Sequence, residues 1–213
     1  MPVKGALRPE DFVYHSSTDN RSWFFQKYYY AGANFRYHTF RLALNLLYQE
    51  HPEPLIVETG CQRQKDDLGA GMSTSIFGEF TQRYGGRVVT VDIDERALAV
   101  CRECTREYAG KITYFRSDSV AFLKNFKESP SLIYLDSFDY DVTGDTRLQR
   151  QAQDHCLAEL LAIEPRLTER SVVLLDDSDF PGGGKPLLAK KHLAGSGWTC
   201  LLEWQQSLWV KRR

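Results

Sequence analysis

From Leu55 to the C-terminus, short apolar segments that resemble β-strands alternate with segments of helical periodicity. This alternation predicts a parallel sheet with helices on both faces. The first five strand-like segments are residues 55–59, 87–92, 112–115, 131–136 and 171–176. The last two strand-like segments are separated only by a turn at Gln205 and Gln206, which leaves no room for a crossover helix. They therefore require an antiparallel hairpin.

These patterns predict an α/β fold: a Rossmann-like, doubly wound, mostly parallel seven-stranded sheet with a C-terminal antiparallel hairpin. Residues 1–50 are aromatic and polar, and they predict N-terminal helices that pack on the sheet or cover a site. No Gly/Ser-rich or Pro-rich linker separates them from the rest. We therefore expect a single domain over 1–213, with a helical N-terminal cap at 1–50 and a core at 55–213.

The charge balance argues against nucleic acid as a partner, because the formal net charge is −1 at pH 7. The N-terminus lacks the apolar core of a signal peptide, and no apolar run is long enough to span a bilayer. We therefore expect no membrane partner and a cytoplasmic location.

Polar and glycine residues follow the predicted strands at their carboxyl ends, where doubly wound sheets bind ligands. Glu58 and Gly60 end the first strand, and Gly71 and Ser73 precede the next helix. Asp92 ends the second strand, where a carboxylate is placed to accept hydrogen bonds from ribose hydroxyls. Asp118 follows the third strand and is placed near an adenine amino group, and Asp136 ends the fourth. The alternative is that each acidic residue only caps the following helix, which is the interpretation we prefer for Asp94.

In order and spacing, these segments resemble the class I S-adenosylmethionine-dependent methyltransferases. The matching residues are VETG, GAGMST, VVTVDID, ITYFRSDS, LIYLDSFDYD and SVVLLDDSD, together with the terminal hairpin. The resemblance implies that S-adenosyl-L-methionine is the cofactor. It implies that Glu58 and Gly60 border its methionine part, Asp92 its ribose and Asp118 its adenine. The loop between Gly60 and Gly71 is longer than in related enzymes, and it is either a flap over the cofactor or a solvated surface loop.

A second acidic group consists of Asp136, Asp176 and Asp177, which end neighbouring strands. Three close carboxylates repel one another unless a cation neutralises them, and oxygen ligands suit Mg²⁺. This group resembles the metal site of metal-dependent O-methyltransferases of the catechol and antibiotic-sugar types, of which the second has the matching Asp-Asp pair. The resemblance implies a Mg²⁺ ion that binds an acceptor hydroxyl and lowers its pKa.

The general base is predicted to be Asp139, with Asp141 as the alternative and a turn-forming role as the competing interpretation. His155 is predicted to be structural, whereas His38 lies in the aromatic N-terminal region where it either packs or meets substrate. The N-terminal aromatic side chains line an acceptor pocket, pack on the sheet or contact a second subunit of a homodimer.

The sequence therefore predicts Mg²⁺-dependent O-methylation of a small molecule, either a sugar or a phenolic compound of secondary metabolism. Two alternatives stay open. One is a metal-independent N- or other small-molecule methyltransferase, and the other is a cofactor-binding protein without catalytic activity.

Overall fold

A computed structural model describes residues 24, 28, 36–64 and 72–211. Seven strands form one sheet in the order β3-β2-β1-β4-β5-β7-β6. Their bounds are β1 Leu55–Thr59, β2 Arg87–Asp92, β3 Ile112–Arg116, β4 Leu132–Leu135, β5 Val172–Leu175, β6 Trp198–Glu203 and β7 Ser207–Lys211. Strands β1 to β5 pair in parallel, and β7 pairs antiparallel with both β5 and β6. The predicted fold class, including the C-terminal hairpin, is confirmed.

Helices in the described part of the chain pack on both faces of this sheet. Their bounds are α1 Arg36–Glu50, α2 Ser73–Tyr84, α3 Glu95–Cys104, α4 Ser119–Asn125, α5 Thr146–Ile163 and α6 Leu187–Gly195. Side chains of α1 and α2 pack with Ile56 and Val88 on one face. On the other face, α5 and α6 pack with Val57 and Val89, because alternate strand residues point to opposite faces. Within these described helices, none has the length and apolar character that a bilayer crossing requires.

The helix after β1 begins differently from the sequence prediction. The run Ser73-Thr74-Ser75 predicts the N-terminal cap of α2, because hydroxyl side chains favour that position, but the N-cap is Met72, which makes no side-chain capping bond. The hydroxyls of Thr74 and Ser75 instead donate to buried acceptors, Glu58 at 2.7 Å and Gln62 at 2.5 Å. The capping prediction is wrong because these buried acceptors use hydroxyls that a cap would need.

The topological switch lies between β1 and β4, since the chain leaves β1 towards β2 and β3 and later continues through β4 and β5 on the other side. Ligand crevices form at such a switch, outside the carboxyl ends of the strands. Gly60 follows β1 with φ of +80°, and a Cβ there would clash with the backbone of Asp136 after β4. Glycine is therefore required where the two strand ends meet.

Candidate functional site

A cavity of about 780 Å³ opens at the carboxyl ends of β1 to β4, a volume typical of sites for small organic ligands. The predicted residues Gly60, Asp92, Asp118 and Asp136 line it, together with Asp139 and Asp177. The structure therefore brings strand ends that are far apart in sequence to a single site.

Asp92 and Asp118 stand on the β2 and β3 side of the cavity, and each also bonds to the following turn. Asp92 Oδ1 accepts from the backbone N–H of Asp94 at 2.8 Å. Asp118 caps α4 by accepting from the N–H of Ala121 at 2.8 Å. Asp94 caps α3, as predicted, by accepting from the N–H of Arg96. Cap and cofactor ligand are therefore compatible roles for Asp118, since a carboxylate has two oxygens.

Apolar side chains complete this part of the cavity. Ile93 lines it and is 68% exposed, and Phe138 lines it and is 47% exposed. Large apolar side chains left open beside carboxylates suit a ligand with a flat apolar ring and hydroxyl groups, as adenosine has. The residues present therefore fit S-adenosylmethionine.

Glu58 and Ser73 are predicted to bind the cofactor but are not among the described residues that line the cavity. Glu58 is fully buried, and its Oε2 accepts from the hydroxyls of Thr74 at 2.7 Å and Thr90 at 2.8 Å. Burial raises the pKa of this carboxyl to about 8. Through these two hydrogen bonds, Glu58 joins β1 to α2 and β2 behind the cavity. Gly71 and the greater part of the long loop, residues 65–71, lie outside the described residues.

The three aspartates predicted to bind metal do come together, but two cationic side chains lie among them. Lys185 Nζ lies 2.8 Å from Asp136 Oδ1 and 3.2 Å from Asp177 Oδ2. Arg36, at the start of α1, places Nε 2.9 Å from Asp176 Oδ1 and Nη2 3.1 Å from Asp177 Oδ1. We call Asp136, Asp176, Asp177, Arg36 and Lys185 the acidic cluster.

Burial and mutual charge set the pKa values of the acidic cluster. Burial and the neighbouring Asp176 charge raise the pKa of Asp136 to about 7, although Lys185 opposes this rise. Burial also raises the pKa of Asp177. Burial opposes ionisation of Asp176, but the charges of Arg36 and Lys185 outweigh it and lower the pKa. Burial disfavours the charged form of Lys185, yet the three carboxylates outweigh it and raise the pKa, so the ammonium stays protonated.

Backbone strain is concentrated where the chain leaves β4 and β5, beside the acidic cluster. Among the described residues other than glycine, φ is positive only at Phe138, with +64°, and Asp177, with +54°. Both residues line the cavity. Such conformations cost free energy and persist where the surrounding structure enforces them, which is common at functional sites.

Asp139, the predicted general base, lines the cavity but is held by Arg63. The guanidinium donates to both carboxylate oxygens, at 2.9 Å and 3.1 Å, and the bond to Arg63 lowers the pKa of Asp139. The alternative base, Asp141, accepts from the N–H groups of Gly144 and Asp145 in a turn, as the competing interpretation expects. Both carboxylates are therefore weaker bases than Asp136.

Three side chains that the structure places at or behind the cavity were not assigned to the site from the sequence. His155 lines the cavity, where its Nε2 lies 3.1 Å from Ser119 Oγ and 3.0 Å from Ser137 Oγ. Lys185 and Arg36 were missed because their partners are distant in sequence. The only sequence signal for Lys185 was the three glycines that precede it. His38 is not among the cavity-lining residues.

Mg²⁺ does not fit the acidic cluster as it stands. Five of the six carboxylate oxygens accept from Arg36, Lys185 or Tyr134. The sixth, Asp136 Oδ2, lies 3.2 Å from Tyr134 OH, whose one hydrogen is donated to Asp176 Oδ2 at 2.6 Å. Mg²⁺ needs oxygens about 2.0–2.1 Å away in octahedral geometry, so the Lys185 ammonium between Asp136 and Asp177 would have to leave. Among the residues that the structure describes, no group of His, Cys, Asp or Glu side chains is arranged to hold a metal ion.

The solved structures of several methyltransferases are similar to this one. The apo structure of CalS11, the TDP-rhamnose 3′-O-methyltransferase of calicheamicin biosynthesis, has a TM-score of 0.58 at 18% identity, covering 83% of this chain and 81% of that one. PaMTH1 from Podospora anserina, bound to S-adenosylhomocysteine, has a TM-score of 0.59 at 15% identity, covering 90% and 85%. MycE from the mycinamycin pathway, in complex with Mg, S-adenosylhomocysteine and mycinamycin VI, has a TM-score of 0.61 at 15% identity, covering 93% and 56%. Identities this low show a shared fold.

A search of curated proteins finds no match. A family model described as a methyltransferase domain matches residues 67–178, just over half of the chain. This segment contains β2 to β5 and the residues Asp92, Asp118, Asp136 and Asp176. The chain therefore belongs to the class I S-adenosylmethionine-dependent methyltransferases.

Proposed function

We propose that this methyltransferase methylates a hydroxyl group of a small-molecule acceptor. The observation that carries the proposal is the position of Asp136, a carboxylate at the β1–β4 switch that lines the cavity and is held by Lys185 at 2.8 Å. A hydroxyl must lose its proton as it reacts, whereas a neutral amine needs no base to attack. A fixed carboxylate at this point therefore favours oxygen over nitrogen as the acceptor atom.

S-adenosylmethionine supplies a methyl group on a positively charged sulfur. Asp92 and Asp118 would hold the ribose and adenine through carboxylate oxygens, and the apolar side chains of Ile93 and Phe138 would lie against the ring. Gly60 and Asp136 would then border the methionine part. When its three carboxylates are all ionised, the acidic cluster carries one more negative than positive charge, which favours a sulfonium nearby.

Asp136 then accepts the proton of the acceptor hydroxyl. Bound S-adenosylmethionine would supply the methyl group to the acceptor oxygen and would leave as S-adenosylhomocysteine, so that the product would be a methyl ether. A pKa of about 7 leaves Asp136 ionised in a large fraction of molecules at neutral pH and still basic enough to take a proton.

The acceptor side of the cavity is lined by Tyr140 and Phe180. The Tyr140 and Phe180 rings stack with centroids 5.9 Å apart, and Tyr140 OH donates to Pro181 O at 2.7 Å. An aromatic wall with few polar groups suits a sugar ring or a phenol. CalS11, whose substrate is a TDP-linked rhamnose, supports testing nucleotide sugars first.

The test has two stages. Calorimetric titration of S-adenosylmethionine into the wild-type protein should show saturable binding, and no binding would overturn the proposal. Release of S-adenosylhomocysteine is then measured with a panel of nucleotide sugars and phenols, and with matched amines in which the hydroxyl is replaced. Transfer to hydroxyl compounds supports the proposal, whereas transfer confined to the amines would favour the N-methyltransferase alternative.

A further inference from the structure

We infer that Lys185 is a built-in cation that takes the place of a divalent metal ion among Asp136, Asp176 and Asp177, so that this chain transfers methyl groups without metal. The statement about catalysis rests on the proposed function. The statement about metal binding does not, because it concerns only the carboxylates and the lysine.

The first argument is where the ammonium lies. Lys185 is 2% exposed, although lysine is rarely buried unless it is paired. Its Nζ lies between Asp136 and Asp177, at 2.8 Å and 3.2 Å from their oxygens. The ammonium therefore bridges the carboxylates that end β4 and β5, as a metal ion in this cluster would.

The second argument is that both oxygens of Asp176 are also used. Asp176 Oδ1 accepts from Arg36 Nε at 2.9 Å, and its Oδ2 accepts from Tyr134 OH at 2.6 Å. Tyr134 OH also lies 3.2 Å from Asp136 Oδ2. A divalent ion would add two positive charges beside two existing cations and would remove donors from buried carboxylates. Both changes cost free energy.

The third argument is that the backbone fixes Lys185 in this place. Gly182, Gly183 and Gly184 all have positive φ, of +74°, +93° and +70°. A Cβ at Gly184 would fall on the carbonyl oxygen of Asp177, so the loop passes against the acidic cluster at a distance that only glycine permits. The buried Gln153 donates to the carbonyl of Gly184 at 3.3 Å. The loop therefore delivers the lysine to the cluster directly.

Metal binding in the absence of acceptor tests this inference. The protein is treated with a chelator, saturated with S-adenosylhomocysteine, and titrated with Mn²⁺ by electron paramagnetic resonance and with Mg²⁺ by calorimetry. Wild type should show no saturable binding at millimolar metal, whereas Lys185→Ala should gain a site that binds about tenfold or more tightly than any wild-type signal. The double variant Lys185→Ala, Asp177→Asn should lose it again.

Lys190→Ala is the matched control. Lys190 is also partly buried and paired, with Nζ 2.7 Å from Glu203 Oε1, but it does not contact the three aspartates. It should gain no metal site. Mg²⁺ should raise the melting temperature of Lys185→Ala but not that of wild type or Lys190→Ala, since a ligand that binds the folded state stabilises it.

Two results would overturn the inference. One is saturable Mg²⁺ binding to wild type that Asp136→Asn abolishes. The other is a folded Lys185→Ala that gains no metal binding. If Lys185→Ala folds only when Mg²⁺ is present, the inference is supported. If it folds under neither condition, the wild-type titration decides: absence of binding supports the inference, and saturable binding contradicts it.

Discussion

On the β2 and β3 side of the cavity, Asp92 is half-buried, Asp118 is exposed, and both bond to backbone N–H groups two or three residues onward. On the β4 and β5 side, Asp136 and Asp176 bond to side chains 49 and 140 residues away in sequence. The first pair leaves carboxylate oxygens accessible to a neutral, hydroxyl-rich ligand. The second group is preorganised by internal cations, which suits charge stabilisation and proton transfer. Local bonding thus characterises the two aspartates proposed to bind the cofactor, and long-range bonding characterises those proposed to support the chemistry.

The largest expected effect is that of Asp136→Asn, which removes the proton acceptor while keeping the shape of the side chain. We expect kcat to fall by about 10²- to 10⁴-fold, the usual contribution of a general base, while the affinity for S-adenosylmethionine changes much less. Steady-state kinetics and calorimetry measure the two quantities. A loss of cofactor affinity with an unchanged kcat would assign Asp136 to binding instead.

The loop that carries Lys185 is tested by Gly184→Ala. The added Cβ collides with the Asp177 carbonyl, and φ of +70° disfavours any residue except glycine. We expect the free energy of unfolding to fall by about 1–3 kcal/mol, together with a loss of activity as Lys185 is displaced. Urea unfolding measures the stability.

Gly195→Ala is the control for that substitution, because nothing lies within 4 Å of a Cβ at this helical position. It should leave stability unchanged or raise it by about 0.4–1 kcal/mol. Equal destabilisation by the two substitutions would show that the contact with Asp177 is not the cause.

Asp92→Asn tests the proposed contact between Asp92 and the ribose of the cofactor. Loss of a charged acceptor for the ribose hydroxyls should weaken cofactor binding by about 10- to 100-fold, with little change in kcat at saturating cofactor. Asp94→Asn is the matched control from the same turn, since asparagine caps a helix as well as aspartate does. Similar losses in both variants would mean that the turn, and not the ribose contact, determines affinity.

The pH dependence of kcat/KM for the acceptor reports on Asp136 in the free enzyme. A base must be ionised to accept a proton, so a pKa of about 7 predicts that kcat/KM rises with pH through neutrality. The rise should be about tenfold between pH 6 and pH 8. A rate that is flat over this range would remove Asp136 as the titrating base.

The smallest effect is expected for Asp139→Asn. The Arg63–Asp139 ion pair is exposed, with side-chain exposures of 54% and 80%, and exposed pairs contribute about 0–1 kcal/mol. We expect kcat to change by no more than a few-fold, in contrast to Asp136→Asn. A loss as large as that of Asp136→Asn would restore Asp139 as the general base.

The strands, the hairpin and the acidic strand ends could be predicted because each depends on a local pattern. Asp92 and Asp118 follow runs of apolar residues, and the carboxyl ends of parallel strands must meet at one edge of the sheet. The clustering of Asp136 with Asp176 follows from the same reasoning, since β4 and β5 are neighbours.

The cations could not be predicted in the same way. Arg36 reaches Asp176 from α1, and Lys185 reaches Asp136 through three glycines that by themselves indicate only a loop. From the sequence, three unneutralised carboxylates predicted a metal ion. The argument that a cation is needed was sound, but two side chains from distant segments supply the charge in the structure. His155 was missed for a related reason, because a helical pattern does not show which side chain faces a cavity.

The most direct test is a crystal structure of the complex with S-adenosylhomocysteine grown in Mn²⁺, with anomalous scattering used to locate the metal. We predict the ribose hydroxyls on Asp92, no anomalous peak among Asp136, Asp176 and Asp177, and the Lys185 ammonium between Asp136 and Asp177. A Mn²⁺ ion bound by the three aspartates, with Lys185 displaced, would contradict this prediction.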